Sequence, residues 1–457
     1  MAAPAVPFDW AKVIDYARRE TPQVPRTQYE LPGVTIEEHG SDAVPVVVPP
    51  AWHAVVTGRL TIPRGDSTAL TQAQRRLTLA LEEIENVYPL NPQGIFVQVA
   101  YGLPYFRDYV PQNVLDRHMP KATKFESSPG EWALIESIKF PKDKDNLVLE
   151  HNDICFHFKS DYREHIENVI QTMFSPGEYL LNGIPATSSY IGDLVSLTSI
   201  RKGFLGRNLP KLIGERLRIP GADKIPAGAM LSMGFTSSHL HGLAQGNLPS
   251  FETLPGYTDQ QPDSYFAHGT FMHLSHILID LPKWYAMSHS DRLHRMFNPR
   301  RTEPAEHLSP SQAPDTTTFL PRLEEDARQH HVVGHNAQMQ FLSRVEQDTT
   351  TVYGNNVPKG TVFFLRQDFD TVENPFEFWT EGALNPEPRL GVHFIGQCPS
   401  AQLFAKIRIE MDGGDVEKQY NLPLDNVGFT SMLTTTHRQN YLEPPRAHRS
   451  FPLAEVA

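Results

Sequence analysis

Cysteine is scarce: the 457 residues contain two, Cys155 and Cys398. Both sit in apolar, strand-like runs, where cysteine behaves as a small hydrophobe, so no disulfide framework is expected and the cytoplasm is the default location. With no C-x-x-C, iron–sulfur binding and c-type haem attachment are excluded. Nor is there a G-x-G-x-x-G leading from a strand into a helix, a P-loop or a G-x-S-x-G, which removes the usual dinucleotide, nucleotide and serine-hydrolase sites. Positive charge is also short. Lys and Arg number 41 against 53 Asp and Glu, for a net charge of -12. Nucleic acid and anionic membranes both need a basic face, so neither is an expected partner. No apolar run approaches the roughly 20 residues needed to span a bilayer. The opening M-A-A-P-A-V-P-F-D-W has no basic stretch followed by an apolar one, so no signal peptide is expected.

What is present is an ordinary globular composition in a chain long enough for a large core and two domains or a fused duplicate. The 39 prolines imply long, stiff loops. Residues 1–50 read as an arm, and 53–63 alternate as a strand. Between Thr71 and Val87 the apolar positions Leu77, Leu81, Ile84 and Val87 recur at three and four, predicting an amphipathic helix. Strands are predicted at Gly94–Tyr101, Asp153–Lys159 and Val195–Ile200, with a helix at Tyr162–Phe174. In the second strand Ile154, Phe156 and Phe158 share one face and His157 takes the other.

The second half repeats this order. Phe271–Leu281 reads as a strand, Trp284–Phe297 as a helix, Thr361–Asp368 and Leu390–Gln397 as paired strands, and Pro399–Met411 as a helix. The pattern predicts an α+β fold of two ferredoxin-like halves, antiparallel sheets with helices packed outside, as in a tandem dimeric α+β barrel. The expected divisions are an arm at 1–50, a first half at 51–200, a connecting segment at 201–262, a second half at 263–415 with an insert at 299–330, and a tail at 416–457. The basic, aromatic run in that tail reads as a segment docking on the body or on a partner subunit, which leaves room for a homo-oligomer.

Two residues in the second half point to chemistry. His335, in V-V-G-H-N-A-Q-M-Q, precedes by about thirty residues Arg366, in T-V-F-F-L-R-Q-D-F. A neutral imidazole is a common axial ligand of haem iron, and a fixed guanidinium stabilises negative charge on a bound oxygen. His273 and His276 cannot share a strand face, because their separation is odd, and are read as packing or surface groups. His239 and His241 lie on one side of an extended segment, but no third ligand with metal spacing accompanies them.

The chain resembles the dye-decolourising peroxidase superfamily of haem proteins over roughly residues 50–415. G-I-F-V-Q-V-A-Y-G-L-P-Y-F resembles its first-sheet strand and Gly-rich turn, and L-E-H-N-D-I-C-F-H-F-K-S-D the strand and Asp that open its next helix. G-H-N-A-Q-M-Q-F-L occupies the place of the proximal histidine, F-F-L-R-Q-D that of the distal arginine, and L-G-V-H-F-I-G-Q the strand after it. The resemblance implies haem b held by His335 as metal ligand, with Arg366 and Phe235 beside it, and a small-molecule substrate with peroxide or oxygen. It departs at the G-F-x-D-G signature, where Gly234-Phe235-Thr236 leads into Ser237 and Ser238. A hydroxyl exchanges hydrogen bonds but is no general base near neutral pH. Asp368, His239 or His241 would have to supply that function, with Ser237 and Ser238 finishing the pocket. The departure points to a peroxidase-like or oxygenase-like oxidoreductase for a specialised substrate. A haem-dependent lyase of the aldoxime dehydratase type and a non-catalytic haem-binding relative stay open beside it.

Overall fold

The computed structural model describes Gln28 and residues 33–39, 44–123, 130–235, 258–261, 263–300, 320–345, 347–354, 356–357, 359, 363–373, 378–380, 389–412 and 414–457. Most of the 1–50 arm and of the 299–330 insert, and Ser237, Ser238, His239 and His241, lie outside them.

Eight strands form one closed barrel. In chain order they are β1 (Trp52–Leu60), β2 (Phe96–Gly102), β3 (Ile154–Ser160), β4 (Val195–Phe204), β5 (Thr270–Ile279), β6 (Phe369–Glu373), β7 (Arg389–Cys398) and β8 (Leu433–Glu443). The first four pair in the order 4-1-3-2 and the last four in the order 8-5-7-6, all antiparallel. Each half is therefore a ferredoxin-like sheet with the same connectivity. The halves join where Asp370 and Thr371 of β6 meet Phe204 and Gly203 of β4, and where Tyr441 and Leu442 of β8 meet Gly102 and Tyr101 of β2. The two seams leave no edge in the ring.

Alternation along each strand gives every strand two buried faces. On β3, Ile154, Phe156 and Phe158 join the core beneath the helices. Cys155, His157 and Lys159 point the other way, into the barrel, and are equally buried. The helices follow the sequence pattern. Helix α1 (Ser67–Val87) buries Leu70, Ala73, Leu77, Ala80, Leu81 and Ile84, spaced by three and four, and starts where the Asp66 carboxylate accepts from the Ala69 N–H at 2.9 Å. Helix α2 (Arg163–Phe174) covers the same sheet through Ile166, Val169, Ile170 and Met173. Helix α3 (Leu209–Arg216) follows β4.

Three expectations are corrected. The single helix predicted at 284–297 is two, α4 (Leu281–Ala286) and α5 (His289–Met296), because the Ser288 hydroxyl caps a new start by accepting from the Asp291 N–H. Of the strand predicted at 361–368, the described residues keep only Leu365–Arg366, and the barrel strand is β6 just after it. Between them the Asp368 carboxylate takes the Ile395 N–H at 3.2 Å, where the ladder would otherwise put a backbone carbonyl. The tail read from residue 416 contains β8, the fourth strand of the second half. Its sequence, L-T-T-T-H-R-Q-N-Y-L-E, hides the strand because most of the side chains it buries are polar. Beyond it, Phe451 and Leu453 return to the first-half core, and Arg446 and Arg449 clasp the Glu85 carboxylate of α1.

At the β2–β8 seam there is room only for glycine. A Cβ on Gly102 would stand 2.1 Å from the Asn152 carbonyl oxygen and 2.4 Å from the Gln439 amide. Gly102→Ala is therefore expected to destabilise the fold by about 1–3 kcal/mol through overpacking, measured by chemical denaturation. An unchanged midpoint would mean that the seam is loose.

Candidate functional site

The outer face of the second-half sheet is covered by α6 (His335–Leu342) and α7 (Ala401–Met411). Between sheet and helices lies a cavity with about 1330 Å³ of space between protein atoms, counting the part open to solvent. Alternation decides what faces it. His273, Ser275, Ile277 and Ile279 of β5 line it, as do Val392 and Phe394 of β7, while His276 and His393 face the barrel interior. Arg366, Asp368 and Asp370 line it from one side, and His335 from α6. Phe235 lines it too, so the structure brings together every site residue read from the sequence that falls within the described residues.

His335 opens α6 directly after Gly334. A Cβ on that glycine would lie 1.9 Å from the Phe297 carbonyl oxygen, so the helix start can press against the end of α5 only without a side chain there. The imidazole packs on Phe429 with ring centroids 4.4 Å apart. Burial, then the positive charges of Arg366 and Arg408, push its pKa down to about 3, so the ring is neutral at any physiological pH. Among the described residues no hydrogen bond engages either ring nitrogen, and the ring keeps part of its surface accessible towards the cavity it lines.

Arg366 and Asp368 stand 3.7 Å apart, Nη1 to Oδ2, and both are largely buried. Burial raises the Asp368 carboxyl to about 6 although Arg366 pulls it down. Asp370, two residues on, is raised to about 8 by burial, against the hydrogen bonds it accepts from the Ser232 N–H (2.7 Å) and Oγ (3.0 Å). That bond fixes the stretch leading to Phe235, which is gripped twice more. Trp284 Nε1 donates to the Met233 carbonyl at 2.9 Å, and the Tyr285 hydroxyl to the Ser232 carbonyl at 2.8 Å. Trp284 and Tyr285 are therefore core residues.

Sequence reasoning did not place Asp370 in the site. It read His273 as a packing or surface group; the residue is fully buried and lines the cavity. His273 stacks on Phe404 at 3.6 Å between centroids and hydrogen-bonds Asn440 and Ser275. The signal was available, because His273 shares strand parity with the apolar Ile277 and Ile279. Arg408 and Arg438, at the same end, are neutralised by Asp412 and Asp143. Among the described residues no group of three or more His, Cys, Asp or Glu is arranged to hold a metal ion. Nor is any helix among them long and apolar enough to cross a membrane.

A family model described as a family of unknown function, DUF7405, matches residues 50–445. The chain belongs to this family. Its match runs from just before β1 to just after β8 and so takes in the whole barrel of the DUF7405 chain. No curated protein matches it. Among solved structures it is similar to a DyP-type peroxidase from Cellulomonas bogoriensis, at 16% identity and a TM-score of 0.51, covering 92% of this chain and 95% of that one. It is also similar to DyPB from Rhodococcus jostii RHA1, at 13% identity and a TM-score of 0.50, covering 89% and 96%. These likenesses show the fold: the DUF7405 chain is a DyP-like tandem α+β barrel.

Removing the Asp370 carboxylate should release the 231–235 turn. Asp370→Ala leaves the buried Ser232 N–H without its acceptor and is expected to cost about 1–3 kcal/mol, read from denaturant midpoints. No loss would show that Trp284 and Tyr285 hold the turn unaided.

Proposed function

We propose that this protein is a haem b-dependent oxidoreductase of peroxidase type, using peroxide or oxygen on a specialised small molecule. The observation that carries the reading is one cavity lined both by a neutral histidine, His335, and by a cation–carboxylate pair, Arg366 and Asp368. The lining suits a flat apolar macrocycle. Phe235, Ile277, Phe394 and Phe404 supply apolar walls, and a ring nitrogen with no hydrogen-bond partner among the described residues is what an axial ligand needs. His335 would hold the group. Bound haem supplies the redox chemistry, and the protein sets access and proton delivery.

The protein's own part is electrostatic. Arg366 presents guanidinium donors to an anionic oxygen of peroxide or substrate in a site shielded from water, where such bonds are strong. Asp368 moves the proton. Held by the Ile395 N–H and set beside Arg366, its carboxylate takes a proton from the incoming peroxide and returns it. A carboxyl with a pKa of about 6 is suited to both directions. The carboxylate lacking from the G-F-x-D-G position is thus replaced by Asp368, two residues past Arg366. Ser237 and Ser238 belong to this reading on sequence alone.

Purified protein titrated with hemin is expected to give a Soret band, shifted or lost in His335→Ala; no band in the wild type would overturn the haem reading. The rate of reaction with peroxide is expected to rise with pH through about 6 as Asp368 loses its proton. Asp368→Asn should abolish that limb and lower the rate by on the order of 10²–10⁴-fold. An unchanged stopped-flow profile would assign proton transfer elsewhere.

A further inference from the structure

A second cleft lies away from the large cavity and shares no lining residue with it. It opens over the outer face of β1 and β4, between α2 of the first half and α3 of the connecting segment, and holds about 820 Å³ of space between protein atoms, open solvent included. Seams between structural units are where ligand sites usually form. Phe204 and Val372, on its floor, belong to the same apolar cluster as Met233 and Phe235, and that slab separates the two cavities.

Its lining has two kinds of surface. Trp52 and Phe204 meet edge to face with centroids 6.5 Å apart, and Ile166, Ile213 and Leu217 continue the apolar wall. Among the described residues, Arg163, Lys202 and Arg216 line it against a single carboxylate, Glu167. That carboxylate is already engaged by Arg163 at 2.8 Å and Lys202 at 3.1 Å. Arg216, exposed in the last turn of α3, has no hydrogen-bond or ion-pair partner among the described residues. A local excess of cations, on a chain of net charge -12, faces an aromatic floor. The Arg163 guanidinium lies 6.0 Å from the Trp52 ring centroid, so the rim already carries the cation–aromatic contact that a flat anion would extend.

We propose that this cleft binds a small aromatic carboxylate, its ring on Trp52 and Phe204 and its carboxylate on Arg216. An aliphatic acid would fill the wall but would forgo the stacking on the floor, and a neutral aromatic would leave the cationic rim unanswered. The site stands on its own lining and does not depend on the reading of the large cavity.

The test is calorimetric titration of the full chain with 2-naphthoate and with its neutral counterpart 2-naphthamide. 2-Naphthoate is expected to bind at one site, and 2-naphthamide several-fold more weakly. Arg216→Gln, a change at an exposed position, should weaken 2-naphthoate about fivefold, the loss typical of one exposed charge pair, and leave 2-naphthamide unchanged. Arg216→Glu should weaken 2-naphthoate further. Equal affinity of wild type and Arg216→Gln for 2-naphthoate, including binding in the large cavity instead, would overturn the proposal, as would no heat of binding at millimolar ligand.

Discussion

Closing eight antiparallel strands into a ring means that every residue on a strand faces one of two interiors. Between helices and sheet the first-half interior is apolar, and that of the second half also holds the side chains of His335, Arg366 and Asp368. Inside the ring it is crowded with polar groups, and these must be paired with one another. The clearest chain runs across the barrel. Lys159 reaches the Gln367 amide oxygen, Gln367 donates to Gln397 at 2.9 Å, and Gln397 and Gln98 both donate to Glu443 at 2.9 Å. Burial lowers the lysine and raises the glutamate, and their mutual attraction opposes both shifts. Replacing one end alone would leave the other charge buried without compensation.

This chain matters to the candidate site through a single residue. Gln367 points into the ring, so its neighbours Arg366 and Asp368 must point out, into the cavity. Their position is therefore set from behind, by strands of both halves. The interruption of the ladder at Asp368 adds a second anchor, since one carboxylate oxygen serves as backbone acceptor while the other lies beside Arg366.

The architecture was legible where the chain follows simple periods. Ile154, Phe156 and Phe158 announce a strand, Leu77, Leu81 and Ile84 a helix, and the repeated order announces two like halves. β8 was not legible, because T-T-T-H-R-Q-N buries polar side chains that pattern reading assigns to solvent. The pairing of His335 with Arg366 could be read from the sequence, where the resemblance supported it. His273 could have been placed there from the strand parity of β5, whereas Asp370 needed β6, which the strand predicted at 361–368 stops short of. The similar solved structures, at 13 and 16% identity, establish the barrel and leave the chemistry to the residues that line it.

The β2–β8 seam also sets the timing of assembly. Tyr101 and Gly102 pair with Leu442 and Tyr441, partners about 340 residues later in the chain. At roughly 5–20 residues per second, a ribosome takes on the order of 17–70 s to make that stretch. For all of that time the first half carries an unpaired strand edge and lacks Phe451 and Leu453 from its core. An unpaired edge of this kind is a template for pairing with another chain, and β8 is the element that removes it.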